Sequence, residues 1–152
     1  GTIDVNGAYG TGPSGSGAGG SAFLSVAGQL SGTGSVSARG GYSTLAGGGG
    51  RIALIYDTNT TFNVGNLNAA PRSDSAGAGT IFLKSGTQPL GELRIDRGTS
   101  FKGTGQPTLI PYENGGVLEL DVFRARNGAR VSTPNQIPAP IYEVDASSEV
   151  VP

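Results

Sequence analysis

The chemistry open to this chain rests on few side chains. Glu119 and Asp121 stand two residues apart. On a strand both would point to one face, roughly 7 Å from each other, a spacing that could serve a pair of glycosidase carboxylates or one hard cation. Glu92, Arg94 and Asp96 share a face in the same way, and an outward charge ladder is the simpler account of such a pattern. Tyr9 and Tyr42 each lie eight residues after a glycine, Gly1 and Gly34, that opens a similar short apolar run. In register on neighbouring turns they would offer an aromatic platform for the apolar face of a sugar ring. A ladder of like residues is equally the way stacked turns pack. Arg51, Arg94, Arg97, Arg124 and Arg126 could grip an acidic polysaccharide through bidentate contacts, but nearby acids match most of them, which predicts a mixed, solvated surface.

What is missing narrows the chemistry further. The chain of 152 residues has no Cys, His, Met or Trp, which removes disulfides, the usual zinc and iron–sulfur sites, catalytic thiols and every His-based triad. No catalytic, cofactor or metal residue is assigned, and no turnover of polysaccharide is expected. Ten basic against eleven acidic residues leave a net charge of −1, with no electrostatic footprint for nucleic acid. No apolar run approaches the roughly 18 residues of a membrane span, so no membrane insertion is expected. Gly1 opens no signal peptide, and the chain reads as cut from something longer.

The elements that would position these residues form an internal repeat. Runs at 20–26, 50–56, 79–85 and 116–122 each open on Gly, with starts 30, 29 and 37 residues apart. Two residues on stand Ala22, Ile52, Ile81 and Leu118, and four on stand Leu24, Leu54, Leu83 and Leu120. This is the period-2 signature of a strand with one buried face. A second series, at 1–5, 34–38, 65–69 and 91–95 with 128–131 as a slipped fifth, follows the first by 12 to 15 residues. Leu30, then Phe62 and Val64, then Leu90 lie between the two and could form a third brief strand. Two strand types alternating at fixed phase describe a coil of about 30 residues repeated four to five times, and no single coil can bury its own apolar face, so the coils must stack. The inward residues should form two columns, with coils about 4.8 Å apart.

Gly and Pro, 28 and 9 residues, make up about a quarter of the chain, which disfavours helix. At coil corners Gly permits positive φ or close backbone approach; the competing reading of 10–20 is a flexible linker. The Gly47 to Gly50 run has no following Lys-Ser/Thr and opens no helix, which excludes a phosphate loop and a dinucleotide fold. The Gly-Gly-x-Gly-x-Asp repeat of calcium-binding β-rolls does not occur.

Residues 17–24, 32–41 and 47–54 resemble the glycine-rich repeats of large bacterial surface and secreted proteins, which in turn resemble the right-handed parallel β-helix of the pectate-lyase-like superfamily. The resemblance is sharp over 17–54, extends to about 98, and weakens beyond. It implies an extracellular or cell-surface rod, and that architecture hosts lyases, hydrolases and plain stalks alike. The expected fold is therefore all-β, a right-handed parallel β-helix over 1–133, with a Pro-containing tail at 134–152 that either links onward or caps the last coil through Ile137, Ile141, Tyr142 and Val144. The expected function is a structural or adhesive stalk segment; the alternative is a carbohydrate-active or glycan-binding module. The expected partners are neighbouring coils or domains of the same parent, a second copy stacked end to end, and polysaccharide.

Overall fold

Ile52, Leu54, Ile81 and Leu83 are buried while the residues between them are half-exposed, and this alternation builds the first half of the molecule. The protein is described by a computed structural model covering residues 1–11, 13–100, 105–110, 118–133 and 137–151. Strands β2 (Ser21–Leu30), β4 (Arg51–Asn59) and β6 (Thr80–Ser85) pair in parallel. Their register sets Ala22 beside Ile52 beside Ile81, and Leu24 beside Leu54 beside Leu83, the two expected columns. Strands β1 (Thr2–Asp4), β3 (Ser35–Ser37) and β5 (Leu67–Asn68) form a second parallel sheet, with Ile3, Val36 and Leu67 in line. The two sheets enclose a core of Val36, Ala38, Ile52, Leu54, Leu67, Ala69, Ile81 and Leu83. The fold is a β-solenoid of about four turns, its coils about 29 residues apart.

Each early coil is pinched at one corner. The N–H groups of Gly20, Gly50 and Gly79 donate to the carbonyls of Val5, Ala38 and Ala69 at 2.7, 2.7 and 2.9 Å. Backbone crosses backbone there without room for a side chain: a Cβ on Gly49 would sit 1.8 Å from the Ala69 carbonyl oxygen. The described residues beyond the pinch, 6–11 with 13–19, 39–49 and 70–78, form lobes that stack on one another. Gly7 N–H donates to Arg39 O at 2.8 Å, Gly10 N–H to Tyr42 O at 3.2 Å and Ser16 N–H to Leu45 O at 3.0 Å. Gly10, Gly17, Gly19 and Gly20 are thus corner and contact residues of a hydrogen-bonded lobe.

The run at 91–95 departs from expectation. Its strand, β7 (Glu92–Asp96), does not join β5 but lies antiparallel beside β6. The cause is local: β6 ends after six residues, where β2 has ten and β4 nine. Gln88 N–H closes a turn onto Ser85 O at 3.0 Å, and Gly91 takes φ +98°, a conformation that disfavours any side chain. The chain folds back before it can cross the coil.

This reversal also moves the core to the other side of the sheet. Antiparallel neighbours share a face, so the pairs Leu83–Glu92 and Ile81–Arg94 carry charge onto the face that was apolar, while Phe82–Leu93 carries apolar residues onto the other. Parallel strands β9 (Val122–Arg126) and β11 (Ile141–Val144) extend the sheet from β7. With β8 (Thr108–Leu109), β10 (Arg130–Ser132) and β12 (Glu149–Val151), which form a third parallel sheet, they enclose a second core around Leu93, Ile95, Phe123, Ala125 and Val131. One row, Phe23–Ala53–Phe82–Leu93–Phe123–Tyr142, crosses all six strands of the shared sheet. It is exposed at Phe23, packs into the second core from Phe82 through Leu93 to Phe123, and ends at Tyr142, which is half-exposed and stacks on Phe123 with ring centroids 5.0 Å apart.

Two further details follow. The fourth strand expected at 116–122 begins instead at Val122; Leu118 and Leu120 pack into the second core from a non-strand segment, and Gly116 and Val117 lie outside the described residues. The slipped run at 128–131 contributes β10, which pairs with β8 and β12. In the tail, Ile137 is buried, β11 stacks on β9 and β12 on β10, each 19 residues on. Arg97, with no exposed surface, ties the two halves together: its guanidinium donates to Asp74 O at 2.7 Å and Gly128 O at 3.4 Å.

Candidate binding surface

Tyr9 and Tyr42 sit on the stacked lobes, one coil apart, with Gly10 hydrogen-bonded to Tyr42 as their register requires. Both rings are well exposed, at 65 % and 64 %. The ring of Tyr9 is met by a cation rather than by Tyr42: the Arg72 guanidinium carbon lies 5.4 Å from its centroid, within cation–π range. Arg39 lies between. Its backbone N–H donates to Asn6 Oδ1 at 2.6 Å, and its guanidinium makes one long contact, 3.5 Å, to Pro71 O. Burial, then the nearby charge of Arg72, lower the Arg39 pKa, and Tyr9 opposes them.

Neither Arg39 nor Arg72 belongs to the arginine set singled out from the sequence. The available signal was isolation: Arg39 is the only charged residue between Asp4 and Arg51, so no local acid could match it. Its meeting with Arg72, 33 residues on, is a product of stacking.

The carboxylate pair resolves differently. Asp121 Oδ2 accepts the N–H groups of Leu90 at 2.9 Å and Gly91 at 2.7 Å, and so clamps the corner at which the chain reverses. Glu119 is exposed, and neither residue lies in a strand. Among the described residues no three Asp, Glu, Cys or His side chains gather as a metal site would require.

Glu92 and Arg94 belong to a charge ladder that continues through Arg124, Arg126 and Glu143 across three strands, whereas Asp96, expected in the same ladder, accepts from Gly98 N–H and Asn127 Nδ2 at 2.7 Å. Glu92 Oε1 accepts from Arg94 Nε at 2.5 Å and from Arg124 Nε at 2.7 Å. Arg124 also pairs with Glu143, which accepts from Arg126 Nη2 at 2.7 Å. Burial would raise the Glu92 pKa, but the bonds and charges of Arg94 and Arg124 outweigh it and hold the carboxyl below its ordinary range. The ladder fixes the register of β7, β9 and β11 on the face that carries no second core.

No family model matches the chain, and no curated protein or solved structure gives a significant match. The fold therefore defines the class, a parallel-stranded β-solenoid. Among the described residues no helix is long and apolar enough to cross a membrane.

Proposed function

We propose that this chain is a structural or adhesive rod segment of a large extracellular or cell-surface protein, of the glycine-rich, pectate-lyase-like kind that its repeats resemble. The observation that carries this reading is the open edge of the first coil. Among the described residues, strands β1 and β2 each lack an outer neighbour, which leaves their outer edge and the apolar layer behind it open. Ile3, Leu24, Leu30, Val36, Leu54 and Phe62 line an apolar mouth of about 430 Å³ at that edge. A long, uncovered apolar edge is a template for further strands, and another coil of the same parent, or a second copy, supplies the matching surface.

Sedimentation velocity across a concentration series tests this. The chain should associate as concentration rises, and Ile3→Lys, which places a charge in the mouth, should return it to monomer. A wild-type chain that remains strictly monomeric at millimolar concentration would overturn the reading.

Glycan binding is a second reading. It is favoured by one observation, the exposed Tyr9 ring held under Arg72 beside a polar cleft.

A further inference from the structure

The lobe carries two positive charges, Arg39 and Arg72, on neighbouring coils. Among the described residues neither Arg39 nor Arg72 forms an ion pair. The Nε atoms of both are buried without a hydrogen-bond partner. A guanidinium has five N–H donors. Among the described residues Arg39 uses one of them, in the long contact to Pro71 O, and Arg72 meets the ring of Tyr9. Two like charges held together and partly desolvated are costly unless a counter-charge joins them.

The space beside them suits such a guest. A cleft of about 270 Å³ is walled by Arg39 and Arg72 and floored by Ser35, Ser37, Asn66 and Asn68, the outward residues of β3 and the end of the third coil. Its floor offers hydroxyls and amides and no carboxylate. Asp4, in line with Ser37 in that sheet, does not line the cleft and accepts the Asn6 N–H at 2.9 Å.

We propose that Arg39 and Arg72 form an oxyanion site that receives the sulfate or carboxylate group of an anionic saccharide, with the Tyr9 ring backing the Arg72 guanidinium. The two guanidiniums bind the oxyanion through their free N–H donors. The Ser and Asn side chains meet the sugar hydroxyls, and the Tyr9 ring holds the Arg72 guanidinium at the cleft's edge. The saccharide part rests on the glycan-binding reading; the oxyanion part stands without it.

Isothermal titration at low ionic strength with a dextran sulfate oligosaccharide, unsulfated dextran and sodium sulfate separates the two. The wild type should bind dextran sulfate and not dextran. Arg39→Gln and Arg72→Gln should each weaken binding by tenfold or more, with an unfolding temperature no lower than wild type because a repulsion has been removed. Arg51→Gln, which deletes the same charge elsewhere on the surface, should bind as wild type. A net charge of −1 makes general attraction to a polyanion a poor substitute. If sodium sulfate binds as tightly as dextran sulfate and is lost in Arg72→Gln, the oxyanion site holds and the saccharide assignment fails. Binding that falls equally in Arg51→Gln and Arg72→Gln, or no binding by the wild type, overturns the site itself.

Discussion

Leu83 and Glu92 sit directly opposite one another on adjacent strands and on the same face of the sheet, yet one closes the apolar column of the first core and the other opens a charge ladder. Between them the chain reverses and the core changes sides. Each half of the molecule thus has its own interior, and both interiors are built on one continuous sheet.

The first core rests on its columns. Leu54→Ala and Leu83→Ala, both buried at 2 % exposure, should each lower unfolding free energy by about 2 to 5 kcal/mol in urea denaturation, from lost burial and the cavity left behind. Phe23→Ala, one residue before the same column and outward in the first coil, should stay within about 0.5 kcal/mol. Equal losses at Leu54 and Phe23 would mean that the inward and outward faces are wrongly assigned.

The pinch can be tested one glycine at a time. A Cβ on Gly48 would lie 3.4 Å from its nearest neighbour, Gly77 O, whereas on Gly49 it would lie 1.8 Å from Ala69 O. Gly49→Ala should therefore prevent closure of the coil and destabilise by about 3 kcal/mol or more, while Gly48→Ala costs under about 1 kcal/mol. Thermal unfolding of the two variants side by side gives the comparison; indistinguishable curves contradict the close approach.

At the reversal, Asp121→Ala leaves two N–H groups without their acceptor, that of Gly91 partly buried. A loss of about 1 to 3 kcal/mol is expected. Asp121→Asn retains an acceptor oxygen and should recover part of it. Hydrogen exchange at Leu90 and Gly91 should quicken in the Ala variant, and unchanged protection there would rule the clamp out.

Acid should weaken the second half through Glu92. Its carboxyl is held below the ordinary range in the folded chain, so the unfolded state binds the proton more readily. The resulting stabilisation is full above the unfolded pKa of about 4.3. It disappears as pH falls through the folded value. Urea midpoints measured from pH 7 to pH 2.5 should show Glu92→Gln less stable than wild type at pH 7, with the gap closing in acid. A gap independent of pH would show that the ion pairs with Arg94 and Arg124 contribute nothing through charge.

Much of the first half was legible. Gly at 20, 50 and 79 followed by alternating apolar residues marked β2, β4 and β6 and both columns of the core, because alternation along a strand is a local property that side-chain types record directly. The same local pattern misassigned β7: Gly91-Glu92-Leu93-Arg94-Ile95 has the alternation of Gly1-Thr2-Ile3-Asp4-Val5, and alternation says which residues share a face but not which sheet, or which direction, the strand takes. The fourth strand was misplaced for the same reason, since Leu118 and Leu120 alternate as strand residues do and are buried from a non-strand segment.

By itself, then, the sequence determined an all-β chain of stacked coils, its apolar faces and the glycine-dense corners. The tertiary structure decided the rest. The Ser85 to Gln88 turn and the Gly91 conformation chose a fold-back over a crossing, and Phe82 against Leu93 then set the side on which the second core formed. Arg39, Arg72 and Tyr9 come from three successive coils and meet only once those coils are stacked in register. Strand partner, direction and cross-coil contact are relations between residues distant along the chain, fixed by the closure of turns and the packing of faces, and no window of sequence contains both sides of them.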